Sequence, residues 1–235
     1  GYVDPHSGFI TMGGAIRRFD NFAMKSWLET RTGLPVSVEN DANCVLLAER
    51  WQGKAAEMAN FLVLTIGTGI GGAIFCQHQL INGARFRAGE FGYMLTDRPG
   101  GRDPRRYSMN ENCTLRVLRH RYAQHIGAPL DSVTGELIFD RYDAGDPVCQ
   151  RLVAEFFNGL GHGLYNLVHI FDPQTIFIGG GVVERPGFLT LLRQHLAWFG
   201  IADYLDTVSH GNDAGLIGAV YHFNQHYRSP GDDRH

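Results

Sequence analysis

Two apolar segments of this chain run directly into clusters of glycine. Residues 60–72 read NFLVLTIGTGIGG, and residues 176–181 read IFIGGG. Glycine lets the backbone approach a ligand closely, and consecutive backbone N–H groups bind phosphate oxygens well. The first cluster alone fits a phosphate-binding loop and a tight glycine hairpin equally well. The second cluster favours a bound nucleotide, with the phosphates at one junction and the adenosine at the other.

The residues around the first cluster exclude the two most familiar nucleotide-binding motifs. A Walker A loop would continue with Gly-Lys-Ser/Thr, which does not follow here. A Rossmann fingerprint would open a helix, whereas residues 71–76 have the pattern of a strand. Because only IGTGI separates this strand from the preceding one, the two are expected to form an antiparallel hairpin.

The rest of the chain mixes helix and strand patterns. Helices are expected over residues 22–32, 42–52, 110–125, 134–144, 147–171, 187–199 and 214–223, and further strands over residues 9–12, 36–38 and 175–178. Asp146 followed by Pro147 is typical of a helix start. Each glycine inside a helix costs roughly 1 kcal/mol relative to alanine, so the three glycines within residues 159–163 predict a close helix crossing or a bend. Such a mixture indicates an α/β or α+β protein.

A polar hexapeptide, VENDAN at residues 38–43, lies between an apolar run and a predicted helix. Asn40 or Asp41 could simply cap that helix, and on the residues alone the cap is the better explanation. The alternative is that Asp41 is a general base, because a carboxylate within hydrogen-bond reach can take the proton of a hydroxyl that attacks a phosphoryl group. The two roles are compatible if Asn40 caps and Asp41 catalyses.

Length and composition fit one large domain or two small ones and argue against nucleic-acid and membrane partners. The chain has 235 residues, a net charge of −3 and no apolar run of 18 residues. Its start lacks the features of a signal peptide, which predicts a cytoplasmic protein. The four cysteines are widely spaced, so we expect a reducing compartment, no disulfide framework and no cysteine-rich zinc site.

Five stretches in order resemble the ROK family, whose name stands for repressors, open reading frames and sugar kinases. They are VENDAN, LTIGTGIGG, AGEFGY, IFIGGG and DAGLIGA. Each is weak alone, but the ordered set is specific and spans nearly the whole chain. The resemblance implies an α/β, actin-like or ribonuclease-H-like sugar kinase fold whose two domains close over ATP and sugar. Residues 1–42 would be the remainder of the small domain, 43–212 the large domain, and 213–227 a helix packing back on the small domain.

The resemblance also implies roles for individual residues. Asp41 would take the proton from the 6-hydroxyl of the sugar, Asn40 would bind another hydroxyl, and Glu90 would accept hydrogen bonds from others. Tyr93 replaces the usual histidine of the family; packing is its expected role, and a contact with the sugar is the alternative. The implied nucleotide-binding residues are Thr65, Gly67, Thr68 and Gly69 at the terminal phosphates, and Gly179, Gly180 and Gly181 at the adenosine. ATP and Mg²⁺ are the expected cofactors.

The expected acceptor is a β-linked glucoside such as cellobiose. Residues 12–22, MGGAIRRFDNF, stand where the family commonly has an Asn-Leu-x-x-Trp segment, and this difference favours a β-glucoside. Free glucose remains an alternative acceptor. A sugar-sensing transcription regulator is the alternative function, although the intact glycine loop favours a kinase. A homodimer is expected.

Two features of the family are missing. Its C-x-C-G-x-x-G-C zinc segment is replaced by residues 98–113, which contain one cysteine, so no structural zinc is expected. Its Asp-x-Gly-Gly-Thr loop, which binds phosphate and helps to position Mg²⁺, does not occur in these residues. The chain is expected to begin after that loop, and a chain without it is expected to transfer phosphate poorly or not at all.

Overall fold

The computed structural model describes residues 1–227, which form two compact units. Unit 1 contains Gly1–Ala59, Ala73–Gly89 and the C-terminal segment from Val208. Unit 2 contains Asn60–Gly72 and Glu90–Thr207. The domain boundaries predicted after residues 42 and 212 stay a prediction.

Unit 1 begins with a three-stranded antiparallel sheet in the order β1–β2–β3. Its strands are β1 (Tyr2–Asp4), β2 (Phe9–Met12) and β3 (Phe22–Ala23). Helix α1, Met24–Thr32, follows β3 directly, so the helix predicted from residue 22 begins later. The strand predicted at residues 36–38 is wrong, because residues 35–40 have no regular secondary structure.

The two long helices of unit 1 pack closely against each other. They are α2 (Asp41–Gln52) and α8 (Ala214–Tyr227). A Cβ atom on Gly218 would lie 1.7 Å from the backbone carbonyl oxygen of Cys44, so the helices meet at backbone distance. Nearby, the rings of Trp51 and Tyr221 stack with their centroids 5.4 Å apart.

The second sheet has the strand order β6–β5–β4–β7–β8. Its strands are β4 (Phe61–Ile66), β5 (Ile70–Cys76), β6 (Gln79–Leu80), β7 (Thr175–Gly179) and β8 (Leu205–Thr207). In unit 2, β4, β7 and β8 run parallel. Five of the six residues of β4 are buried, as expected for a parallel strand covered on both faces. The strands β4 and β5 are neighbours joined by three residues, which permits only the antiparallel hairpin predicted.

The helices of unit 2 follow the predicted order with one break. They are α3 (Met109–Asn112), α4 (Leu115–Ile126), α5 (Gly135–Asp143), α6 (Pro147–Phe171) and α7 (Phe188–Leu196). The single helix predicted over residues 110–125 is wrong, because Thr114 is extended and its side chain caps α4. The Thr114 hydroxyl accepts from the Val117 N–H at 3.2 Å.

Helix α6 has the predicted bounds, with an N-cap at its start and close contacts at its glycines. The Asp146 carboxylate accepts from the N–H groups of Val148 and Cys149 at 2.9 and 3.0 Å. A Cβ atom on Gly161 would lie 2.3 Å from the Phe199 ring, and one on Gly163 would lie 2.4 Å from the Met109 sulfur. The predicted close crossing is therefore confirmed.

None of the described helices is long and apolar enough to cross a membrane. The mixture of helices with a sheet that has both parallel and antiparallel pairings confirms the α/β class. The homodimer and the cytoplasmic location stay predictions.

Candidate active site

The first glycine cluster forms the tip of the β4–β5 hairpin in unit 2. The Gly67 N–H donates to the Gly69 carbonyl at 3.0 Å, and the Gly67 carbonyl accepts from the Leu115 N–H at 3.2 Å. Gly67 is therefore bonded within the protein on both sides and shapes the loop. Thr68 and Gly69 are exposed, so these two residues are the part of the tip most accessible to an incoming ligand.

One side chain that the sequence reasoning missed holds this hairpin in place. The Asn110 amide oxygen accepts from the Ile70 N–H at 2.8 Å. A Cβ atom on Gly92 would lie 2.5 Å from the amide of the same asparagine. Asn110 thus links the hairpin to the turn at Phe91–Tyr93. No motif or spacing marks it, because the contact joins residues 40 positions apart.

The second glycine cluster lies beside the first. Thr65 of β4 is paired with Gly179 of β7 in parallel register. Gly180 has a φ of 96°, and a Cβ atom there would lie 2.2 Å from the Ile66 carbonyl oxygen. Only glycine fits such a position. Since both strands end at the same edge of the sheet, the two clusters are brought together as predicted, at the edge where α/β proteins commonly bind ligands.

A cavity of about 470 Å³ lies next to the second cluster. Apolar side chains of Leu115, Phe139 and Val182 line it, together with the acidic side chains of Glu136 and Glu184. Its size and its mostly apolar lining suit a base and ribose. Gly181 is also part of the lining. The residues present therefore fit a nucleoside at this junction.

The turn after Gly89 carries the two other predicted contact residues of unit 2. Glu90 is half-buried, and its carbonyl accepts from the Tyr93 N–H at 3.1 Å. Tyr93 is 48% exposed, so its side chain is accessible to a ligand rather than enclosed by packing.

Asn40 and Asp41 stand at the start of α2 in unit 1. The Asn40 amide oxygen accepts from the N–H groups of Ala42 and Asn43 at 2.9 and 3.2 Å, so Asn40 is the N-cap. Asp41 is the first helical residue and is exposed. Its carboxylate accepts at 3.0 Å from the Ala42 N–H. A carboxylate here is favoured by the helix dipole. Asn40 therefore caps the helix, and the Asp41 carboxylate stays accessible to a substrate.

The arginine-rich segment after Leu95 is closed by main-chain contacts. Leu95 forms an isolated bridge with Ser108, and the Thr96 N–H donates to the Tyr107 carbonyl at 2.8 Å. Within the described residues, no group of three or more His, Cys, Asp or Glu side chains is placed to hold a metal ion. The expected lack of structural zinc stays a prediction.

The order of motifs and this geometry agree with the comparison to known families. The model described as "ROK family" matches residues 1–226. The chain belongs to the ROK family. The recognition from sequence is thereby confirmed, and so is the actin-like or ribonuclease-H-like sugar kinase fold expected from it.

Similar ROK proteins include two relatives named β-glucoside kinase. That of Klebsiella pneumoniae is 98% identical over 235 residues, which are 100% of this chain and 79% of the relative. That of Listeria innocua is 59% identical over 226 residues, which are 96% of this chain and 77% of the relative. A solved structure from Listeria monocytogenes, the Lmo2764 protein, is described as a candidate N-acetylmannosamine kinase. It superposes with a TM-score of 0.90 at 58% identity and covers 96% of this chain and 78% of its own.

Proposed function

We propose that this ROK protein is a sugar kinase that transfers the terminal phosphoryl group of ATP to the 6-hydroxyl of a β-glucoside. The observation that carries the proposal is the 98% identity to a protein named β-glucoside kinase. The paired glycine junctions of unit 2 and, separately, the exposed Asp41 of unit 1 support the chemistry independently of that name.

The residues proposed to bind the nucleotide lie in unit 2. The exposed tip residues Thr68 and Gly69 contact the terminal phosphates, and Thr65 stands at the base of the hairpin. The cavity of about 470 Å³ beside Gly181 takes the adenosine. Mg²⁺, when bound with ATP, neutralises charge on the phosphates. It is typically held by one or two carboxylates and by phosphate oxygens, so it does not require a cluster of protein ligands.

The residues proposed to bind the sugar are Asn40, Asp41, Glu90 and Tyr93. Asn40 and Glu90 hold sugar hydroxyls, and Tyr93 offers an accessible side chain to the sugar. Asp41 accepts the proton of the 6-hydroxyl as its oxygen attacks the terminal phosphorus. The new oxygen–phosphorus bond forms while the bond from that phosphorus to the bridging oxygen breaks, and ADP leaves. The exposed position of the Asp41 carboxylate supports this role, because a general base must reach its substrate.

The acceptor is tested by assaying the full-length protein with ATP, Mg²⁺ and a panel of cellobiose, free glucose and N-acetylmannosamine. We expect the highest kcat/KM for cellobiose, with the phosphate on the 6-position by NMR. A higher value for glucose would make the protein a glucokinase, and a higher value for N-acetylmannosamine would agree with the description of the Listeria monocytogenes structure. No transfer to any sugar would overturn the proposal.

Gly180→Ala is expected to raise the KM for ATP at least about tenfold, equivalent to about 1.4 kcal/mol. The added Cβ would lie 2.2 Å from the Ile66 carbonyl oxygen at a φ of 96°, so the junction has to shift. Gly215→Ala in helix α8 of unit 1 is the control, because no heavy atom lies within 4 Å of its Cβ position and the proposed nucleotide contacts lie in unit 2. Steady-state kinetics at saturating sugar measure both variants. Equal KM values for the two would show that the shape of this junction does not matter for ATP.

A further inference from the structure

The buried carboxyl group of Glu39, which precedes Asn40 and Asp41 in the sequence, takes no part in the proposed reaction. The Glu39 side chain is 2% exposed. Its Oε1 accepts from the Asn40 N–H at 2.6 Å and from the Asn43 side-chain amide at 2.9 Å. A buried carboxyl group is costly unless it is hydrogen-bonded, so a specific role for it deserves a test.

These contacts close a ring around Asp41. Glu39 holds the N–H of Asn40 and the side chain of Asn43. The Asn40 side chain in turn holds the N–H groups of Ala42 and Asn43. The residues before and after Asp41 are therefore both held by hydrogen bonds, although the Asp41 side chain itself makes none of these four. The ring therefore holds the backbone on either side of the residue that carries the carboxylate.

The second oxygen of Glu39 faces His222 of helix α8. Glu39 Oε2 lies 3.8 Å from His222 Nδ1. Burial raises the pKa of Glu39, while burial and the nearby His226 lower the pKa of His222 to about 4. The histidine is therefore neutral at neutral pH, and the contact is not an ion pair. Among the described residues, none hydrogen-bonds the buried His222 Nε2.

A cavity of about 180 Å³ with a mostly apolar lining adjoins this pair in unit 1. His6, Asn82 and His226 line it together with Glu39 and His222. A cavity of this size has room for water, and Glu39 and His222 are among the polar side chains that could bond it. Oε1 can accept its two hydrogen bonds in either charge state of Glu39.

We propose that Glu39 is a positioning residue, which acts through Asn40 and Asn43 to hold the Asp41 carboxylate in its catalytic orientation. The proposal rests on the proposed role of Asp41 as general base. Glu39 positions Asp41 through the hydrogen bonds of its Oε1 and not through its charge. A glutamine can reproduce them, with its carbonyl oxygen in the place of Oε1 and its amide toward His222.

The test compares Glu39→Gln with Glu39→Met in the full-length protein. We expect E39Q to keep kcat within about threefold, and E39M to lose about 10²-fold in kcat, as misplacement of a catalytic group by about 1 Å can do. The KM for ATP should stay within about twofold in both, because the proposed nucleotide contacts lie in unit 2. Rates are expressed per folded molecule, with thermal unfolding as the check. An E39M variant with wild-type kcat per folded molecule would overturn the proposal.

Two further variants separate this proposal from the proposed function. In an Asp41→Asn background, E39M should lower kcat no further, since Glu39 acts through Asp41. Additive losses, which a purely structural role would produce, contradict positioning.

Asn43→Ala removes one of the two donors to Oε1 and decides the question if E39M does not fold. A loss of about tenfold in kcat is expected, and an unchanged kcat overturns the proposal. A wild-type rate for D41N alone would overturn the role of Asp41 and the positioning with it. An inactive D41N together with unimpaired E39M and N43A would overturn the positioning alone.

Discussion

Asp41→Asn is expected to lower the kcat of the full-length protein by about 10²–10⁴-fold, the usual range for loss of a general base. Asparagine has almost the same shape, and its amide oxygen can still accept from the Ala42 N–H, which lies 3.0 Å from the native carboxylate. It cannot take a proton from a sugar hydroxyl. Stability should change little, because Asn40 and not Asp41 caps the helix. Loss of the favourable charge at the helix start costs about 0.3–1 kcal/mol.

The matched control is Asp203→Asn, the same chemical change at another exposed helix start. Asp203 is exposed and stands in the first turn of a short 3₁₀ helix, Ala202–Tyr204, in unit 2. We expect its kcat to stay within about twofold of the wild type, as for surface substitutions in general. Coupled assays with ATP and cellobiose measure both variants, and circular dichroism confirms folding. If D41N and D203N had equal rates, Asp41 would not be the base.

The features predicted correctly are those in which local pattern and tertiary structure agree. Asp146 and Pro147 specify a helix start by their own chemistry, and the long apolar helix that follows has the expected bounds. The strand before Gly67 is apolar except for Thr65, which predicts that it is buried, and a second glycine-ended strand pairs with it in parallel. The identity of the family then came from the order of the motifs, since each motif alone is short.

The features predicted wrongly or missed depend on contacts between distant parts of the chain. Residues 36–38 have the composition of a strand but no regular structure, because β-propensity reflects packing against neighbouring strands. Phe22 and Ala23 pair with β2 although their spacing fits the next helix. Asn110 belongs to no motif, and Glu39 belongs to VENDAN but has no role that the sequence indicates. Their importance is visible only once Ile70 and His222 are seen beside them.

Gly218→Ala is expected to destabilise the protein by about 3 kcal/mol, at the upper end of the range for overpacking. The new Cβ would lie 1.7 Å from the Cys44 carbonyl oxygen and 2.4 Å from its carbonyl carbon. Both atoms are backbone atoms inside helix α2, so no side-chain rotation can relieve the clash. Helices α2 and α8 must separate, and the gain in helix propensity of about 1 kcal/mol cannot offset this. Thermal unfolding should show a midpoint lower by roughly 6–12 °C.

Gly215→Ala provides the control within the same helix. No heavy atom lies within 4 Å of its Cβ position, so alanine should stabilise α8 by up to about 1 kcal/mol. Equal stabilities of the two variants would show that the helix crossing tolerates an extra methyl group. The kinetics of G218A carry further information, because α2 begins at Asp41. If the crossing holds that helix in place, kcat per folded molecule should fall in G218A and not in G215A, which would connect the packing of unit 1 to the orientation of its carboxylate.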